Sequence, residues 1–268
     1  METVAPSYGG AAGGTVVKLL ALDSSVATCS VALWDDREGK TGSPIVAHRS
    51  KYMERGQSEA LIPLVDSVME ETGWTFSDLD RLGVTVGPGS FTGVRIGLAA
   101  ARGLALAGRL PSVGVTSFEA IAFEACAGDG DGSNMPPDTL LVALSAGRSD
   151  LYIQIFARSK IPGAVFPWRL LGPPGAAIPE KIPQWFPNEG RVLIAGNGAP
   201  LIRAALAKRE ETLVTTCSPI YAEGPGLPSA IAVATIAAVR DVEAPESAPA
   251  PLYLHSHYAR LPQDQVGE

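Results

Sequence analysis

The order in which apolar spacing changes between Val16 and Ala127 restricts the fold more than any other feature of this chain. Three strand-like segments follow one another, Val16–Ala21, Ala27–Trp34 and Ile45–Ser50. They are separated by the turns Asp23-Ser24-Ser25 and Asp35-Asp36-Arg37-Glu38-Gly39. Within Ser58–Thr72, Leu61, Leu64, Val65, Val68 and Met69 then take the spacing of one helix face, and Gly73 closes the helix. From there strand and helix alternate over Leu82–Val86, Phe91–Ala107, Val113–Thr116 and Ser117–Ala127, with Ser117 expected to cap the last helix. This order implies a mixed sheet covered by helices.

The turn-rich, acidic stretch Gly128–Asp138 reads as a domain boundary. Beyond it the pattern restarts with strands at Leu140–Leu144 and Leu151–Phe156. A proline-rich stretch, Ile161–Pro187, reads as an irregular insert. A strand at Val192–Ala195, a helix at Pro200–Lys208, a strand at Leu213–Thr216 and a helix at Ser229–Asp241 follow. The expected organisation is a disordered extension over 1–15, an N-terminal lobe over 16–127, and a related C-terminal lobe over 139–268 carrying the insert 161–187.

Composition narrows the function classes. With 46% hydrophobic and 18% charged residues among 268, the chain can bury a core. A net charge of −7 is the wrong sign for a surface that grips nucleic acid or anionic lipid over a wide area. The three cysteines, Cys29, Cys126 and Cys217, form no C-x-x-C and fit a reducing, cytoplasmic setting. The apolar run Leu227–Val239, interrupted by Pro228, Ser229 and Thr235, is too short to span a bilayer.

The densest local signal is Gly87-Pro88-Gly89-Ser90-Phe91-Thr92-Gly93-Val94-Arg95-Ile96-Gly97, directly after a strand and opening a helix. Two readings stand. Unpaired N–H groups and the helix dipole favour an anion there, or the segment is a tight strand-to-helix turn. Its spacing is neither Rossmann nor Walker, and no lysine follows. Gly93, Gly97, Ala101 and Ala105 form a small-residue stripe, and glycine inside a helix costs about 1 kcal/mol against alanine. Such a stripe implies close approach of another lobe or subunit. Asp23 is the strongest single carboxylate, either as a remnant phosphate and Mg²⁺ site or as a turn cap; the turn it heads lacks glycine. His48, and the pair His255 and His257, lack a third metal ligand at matching spacing. Ser145, Ser149 and Asp150 have no histidine nearby, and Arg203, Lys208 and Arg209 read as a solvated helix face.

Three segments, Leu20–Asp36 (LALDSSVATCSVALWDD), Arg55–Gly73 (RGQSEALIPLVDSVMEETG) and Gly87–Ala107 (GPGSFTGVRIGLAAARGLALA), closely resemble the TsaB (YeaZ) family. These are bacterial tRNA threonylcarbamoyladenosine biosynthesis proteins related to TsaD and glycoprotease-like proteins. Val113–Ala122, Ala143–Phe156, Ala195–Ile202 and Pro251–His257 extend the likeness over nearly the whole chain after residue 15. The resemblance implies two lobes of the actin/Hsp70/sugar-kinase type (ribonuclease H-like mixed sheets flanked by helices). It also implies a cytoplasmic, non-catalytic subunit that pairs with a TsaD-like threonylcarbamoyltransferase and a TsaE-like ATPase. Together these place threonylcarbamoyl on N6 of adenosine 37, the tRNA being met only through the complex, with no membrane involved.

In such proteins the two early helices form heterodimer and homodimer interfaces. The resemblance therefore implies a partner contact from Leu61, Leu64, Val65, Val68, Phe91, Val94, Gly97, Leu98 and Ala101. Asp23, Ser24, Ser25, Gly87, Gly89 and Ser90 stand as a vestigial nucleotide site that leaves room for weak ATP or ADP binding. No metal and no other cofactor are expected. Gln57 stands where a histidine is common in the family and Ser145 where an aspartate is usual, and Gly147-Arg148-Ser149-Asp150 departs from the family's turn. A sugar-kinase-like phosphotransferase and a metal-dependent glycoprotease are the alternative functions.

Overall fold

A computed structural model describes residues 17–37, 43–127, 137–145, 150–161, 165–187, 189–208, 216–224, 226–241 and 248–254. The extension expected over 1–15 and the histidines His255 and His257 lie outside the described residues, as do Ser149, Arg209 and most of the acidic break. Two compact units are present, taking the described residues within each bound. One spans Met1–Ala120, Gly163–Phe166 and Leu227–Leu252; the other spans Ile121–Pro162, Pro167–Gly226 and Tyr253–Glu268.

The first unit opens as a meander of β1 (Lys18–Val26), β2 (Thr28–Asp35) and β3 (Ile45–Tyr52). Then follow α1 (Gln57–Thr72), β4 (Arg81–Gly87), α2 (Phe91–Gly108), β5 (Ser112–Thr116) and α3 (Ser117–Ala127), the last shared with the second unit. The sheet order is β3-β2-β1-β4-β5, with both meander pairings antiparallel and β1–β4 and β4–β5 parallel. Leu61, Val65 and Val68 of α1 and Val94, Leu98 and Ala101 of α2 bury against Leu20, Leu22, Val31, Leu33, Leu82 and Val84 on one face. Thr116, not Ser117, caps α3. Glu119 accepts from the Thr116 N–H and hydroxyl at 2.8 Å each, and the Glu119 N–H donates back to Thr116 Oγ1 at 3.1 Å, a capping box.

The opposite face is covered by α5 (Ala230–Val239), which departs from the expected boundary because Leu227–Leu252 packs into the first unit. The helix is apolar all round and buried, so it needs cover on every side. Gly83 of β4 admits it: a Cβ there would lie 3.1 Å from Ala237 and 3.2 Å from Val233. Both ends are anchored. The Ala230 N–H donates to Ser30 Oγ at 3.0 Å, and Arg81 donates to the carbonyls of Ala237 and Arg240 at 3.1 and 3.0 Å. Arg240 in turn donates to the Gly114 carbonyl and pairs with buried Glu119 at 2.6 Å.

The second unit repeats the plan. β6 (Thr139–Ser145), β7 (Leu151–Arg158) and β8 (Trp168–Leu170) form an antiparallel meander. β10 (Glu189–Ala195), α4 (Ala199–Ala207) and β11 (Thr216–Tyr221) then add parallel strands beside β6, giving the order β11-β10-β6-β7-β8. β11 begins where the expected strand ends; residues 213–215 are not among those described. The proline-rich stretch is not an irregular insert. It supplies β8 and β9 (Gly175–Ala177), both paired to β7, and a 3-10 helix, Pro179–Trp185, and it buries Phe166, Trp168 and Ile182. Prolines exclude regular ladders but suit short edge strands and 3-10 turns.

Mixed α/β sheets flanked by helices, built twice with the same strand order, are the fold class expected. Among the described residues no helix is long and apolar enough to cross a membrane. Replacing Arg240 with alanine removes the cation against which Glu119 is buried. The variant should lose about 3 to 5 kcal/mol of stability in urea unfolding.

Candidate functional site

The irregular end of β1 and the loop before α2 meet at the end of the first sheet. Between Asp23 and Val26 the pairing of β1 with β2 shifts register. Asp23 Oδ1 accepts from the Ser25 hydroxyl at 2.7 Å and from its N–H at 3.2 Å. Ser117 Oγ donates to Ser25 Oγ at 3.3 Å, and Ser24 Oγ donates to the Gly93 carbonyl at 2.9 Å. Ser90 N–H donates to the Ser25 carbonyl at 2.7 Å, while Ser90 Oγ caps α2 by accepting from Gly93 N–H at 3.3 Å.

Glycine is required here by space. A Cβ at Gly89 would collide with the Ser25 carbonyl oxygen, one at Gly93 with that of Ser24, and one at Gly97 would sit 2.8 Å from Ser24 Oγ. Gly87 turns the loop with a φ of +97°.

The six residues proposed from sequence as a vestigial nucleotide site are thus brought together, and several of their polar groups bond to one another. Asp23, Ser24 and Ser25 are buried, and the amides of Ser90, Gly93 and Val94 are spent on Ser25, Ser90 Oγ and the Ser90 carbonyl. Of the two readings of the loop, the geometry selects the tight turn. Cys29 lies in the same core. Burial, with the Asp23 carboxylate adding to it, pushes its thiol up to about 11. Burial, then the charge of Arg49, lowers the basicity of His48 on β3. Among the described residues no three His, Cys, Asp or Glu side chains assemble into a metal set.

The residues expected at a partner interface need correction. Leu61, Val65, Val68, Val94, Gly97, Leu98 and Ala101 face the sheet and are buried in the chain's own core, where a partner cannot touch them. The small-residue stripe brings α2 close to β1, not to a second helix. Only Leu64, half-buried, and Phe91, 58% exposed, reach the surface. The outward face holds what the periodicity passed over: Ile62 on α1, and Ala99, Gly103 and the 83% exposed Leu106 on α2. Beside them Arg95 stacks on the Phe91 ring at 3.6 Å. A signal was present, since Leu106 falls out of phase with the buried stripe and Gly103 sits in a helix interior without any neighbour to make room for.

Comparison with known proteins places this arrangement. Residues 50–161 match the family model of TsaD, tRNA N6-adenosine threonylcarbamoyltransferase. The tRNA threonylcarbamoyladenosine biosynthesis protein TsaB of Escherichia coli K12 is 37% identical over 106 residues, 40% of this chain and 43% of that protein. TsaB of Haemophilus influenzae is 31% identical over 166 residues, 61% of this chain and 65% of that protein. The chain is similar to TsaB (YeaZ) proteins over these stretches. The matches span 43% and 65% of these relatives' lengths. In fold, the chain is similar to YeaZ from Pseudomonas aeruginosa at a TM-score of 0.67 and 24% identity, covering 89% of this chain and all of that one.

The departures from the TsaB pattern noted from sequence have a structural setting. Gln57 is buried at the start of α1, where its amide donates to the carbonyls of Val26 at 3.3 Å and Met53 at 3.2 Å. It ties the β1–β2 turn to the helix, a task the side chain performs without an ionisable group. Ser145 ends β6, and its N–H donates to Asn197 Oδ1 at 2.9 Å, which holds the loop after β10.

The two kinds of glycine on α2 should part company in denaturation. Gly93→Ala must displace a backbone carbonyl and is expected to cost about 1 to 3 kcal/mol. Gly103→Ala, with nothing within 4 Å of the new Cβ, should gain up to about 1 kcal/mol. Cys29 should resist iodoacetamide at pH 8 in the native protein and label readily in urea, as read by peptide mass spectrometry.

Proposed function

We propose that this chain is a non-catalytic partner subunit in tRNA N6-threonylcarbamoyladenosine formation, binding and activating a TsaD-like threonylcarbamoyltransferase together with a TsaE-like ATPase. Similarity to TsaB proteins supports the pathway. The observation that carries the partner role is the exposed apolar face of Phe91, Ala99, Gly103 and Leu106 on α2, with Ile62 exposed on α1. An exposed apolar patch of this kind is the mark of an interaction site. Gly103 lowers helix stability while packing nothing within its own unit, which suits a partner backbone arriving from outside.

Charge favours a helical partner and, for the chain alone, a second copy. The outer face of α1 carries Glu59, Asp66 and Glu70, and that of α2 carries Arg95 and Arg102. A two-fold pairing would set acidic α1 against basic α2. The tRNA is met through the assembled complex, since the chain's net −7 opposes a wide phosphate contact. The setting is the cytoplasm.

Reconstitution tests the reading. TsaD-like and TsaE-like proteins, ATP, threonylcarbamoyl-adenylate and tRNA should form modified adenosine only when this chain is added. Full product without it would overturn the proposal. Leu106→Glu alters an exposed position, so the variant should fold normally and lower product formation at least tenfold.

A further inference from the structure

The first unit ends on a short segment, Ala248–Leu252, that lies against the ends of β4 and β5. The Leu252 N–H donates to the Val86 carbonyl at 2.8 Å, and the Leu252 side chain packs on the core beneath α1 and α2. The Leu252 carbonyl lies where a Cβ on Gly87 would be 3.2 Å away, and Pro249 stands at the same distance from a Cβ on Gly114. A second hydrogen bond leaves this strap in the other direction: Arg102 Nη2 donates to the Pro249 carbonyl at 2.9 Å. Arg102 is exposed and lies on the outer side of α2, one residue from Gly103.

The strap therefore touches two things at once: the turn residues that seat α2, and one of the two arginines flanking the outer apolar face. A free arginine side chain samples many rotamers, and ordering it on binding costs about 2 kcal/mol of entropy. One held by a carbonyl has met most of that cost beforehand and still has donors left for a carboxylate.

We propose that the C-terminal strap is a positioning device for partner docking. By holding Arg102, it pre-orients the guanidinium toward a carboxylate on an apolar helical face of the partner. The inference rests on the docking reading above and adds a positioning element to it. Coupling of this kind is reciprocal: a strap that favours the partner must itself be held more firmly when the partner is bound.

A double-mutant cycle on the full chain tests this. Binding of the TsaD-like protein is measured by calorimetry for the wild type, Leu252→Ala, Arg102→Ala and the double variant, with melting curves confirming that each is folded. Leu252→Ala should weaken binding about five- to tenfold, Arg102→Ala by a similar or larger factor, and the double variant no more than Arg102→Ala alone. Hydrogen exchange at the Leu252 amide of the wild-type protein gives a second reading that requires no variant. The amide should be protected at least threefold more when the partner is bound. Multiplicative losses in the cycle, or unchanged exchange at Leu252 on binding, overturn the role of the strap. A wild-type chain that does not bind the partner at all overturns the docking reading and the strap with it.

Discussion

Backbone contact between the irregular end of β1 and the helix entry after β4 sets the geometry of the first unit. Ser24 and Ser25 present their carbonyl oxygens to Gly93 and Gly89, leaving no room for a side chain at either glycine. Because the contact is made by backbone, which cannot rotate aside as a side chain can, it sets how closely α2 approaches β1. The burial of Val94, Leu98 and Ala101 follows, and with it the choice of which residues on α2 face outward. The loop's resemblance to a phosphate cradle comes from the same cause. Both uses need glycine at a helix entry, and here the amides of Ser90, Gly93 and Val94 point at the chain's own oxygens.

The second unit uses the device again. Gly196 and Gly198, after β10, crowd the Ala143 carbonyl of β6 as Gly89 crowds that of Ser25, and Gly198 N–H donates to it at 3.0 Å. Gly196 has a φ of +99°, close to the value at Gly87. Two sheets of the same strand order are thus locked at the same point by the same kind of contact. The helix between β4 and β5 carries an outward apolar face, whereas α4, in the corresponding place, exposes Leu201 but also Arg203, whose guanidinium lies 3.9 Å from the Tyr221 ring centroid. The repeat shares a scaffold, and the outward chemistry of its helices differs.

Much of this was legible in the residues. Period-2 and period-3.6 patterns located the meander, α1, α2 and most later elements, and the order of those elements implied the sheet. Periodicity states which residues share a face; it does not state what covers that face. Leu61, Val65 and Val68 were read as a contact surface when they are core, because a sequence-local pattern contains no sheet beneath the helix. The Gly93–Gly97–Ala101 stripe was read as room for another helix for the same reason: close approach was correct, and the neighbour was a β-strand. The proline-rich stretch was opaque because its strands are three residues long and owe their form to pairing with β7. Helix α5 was visible as a helix, but nothing local to it says that it belongs with strands nearly two hundred residues earlier, a placement made by Gly83, Ser30 and Arg81.

That placement bears on how the chain is made. During synthesis the strands of the first sheet emerge early, with one face ready for α1 and α2. The other face, around Ala21, Ser30 and Gly83, waits for a helix that leaves the ribosome only after almost all of the second unit. The earliest-made sheet is therefore the last to be closed. An interrupted nascent chain presents an uncovered apolar sheet to whatever is nearby, the condition in which aggregation competes with folding. Helix α5 acts as a completion signal: a chain truncated before residue 227 has every described strand and leaves the α5 face of the first sheet uncovered.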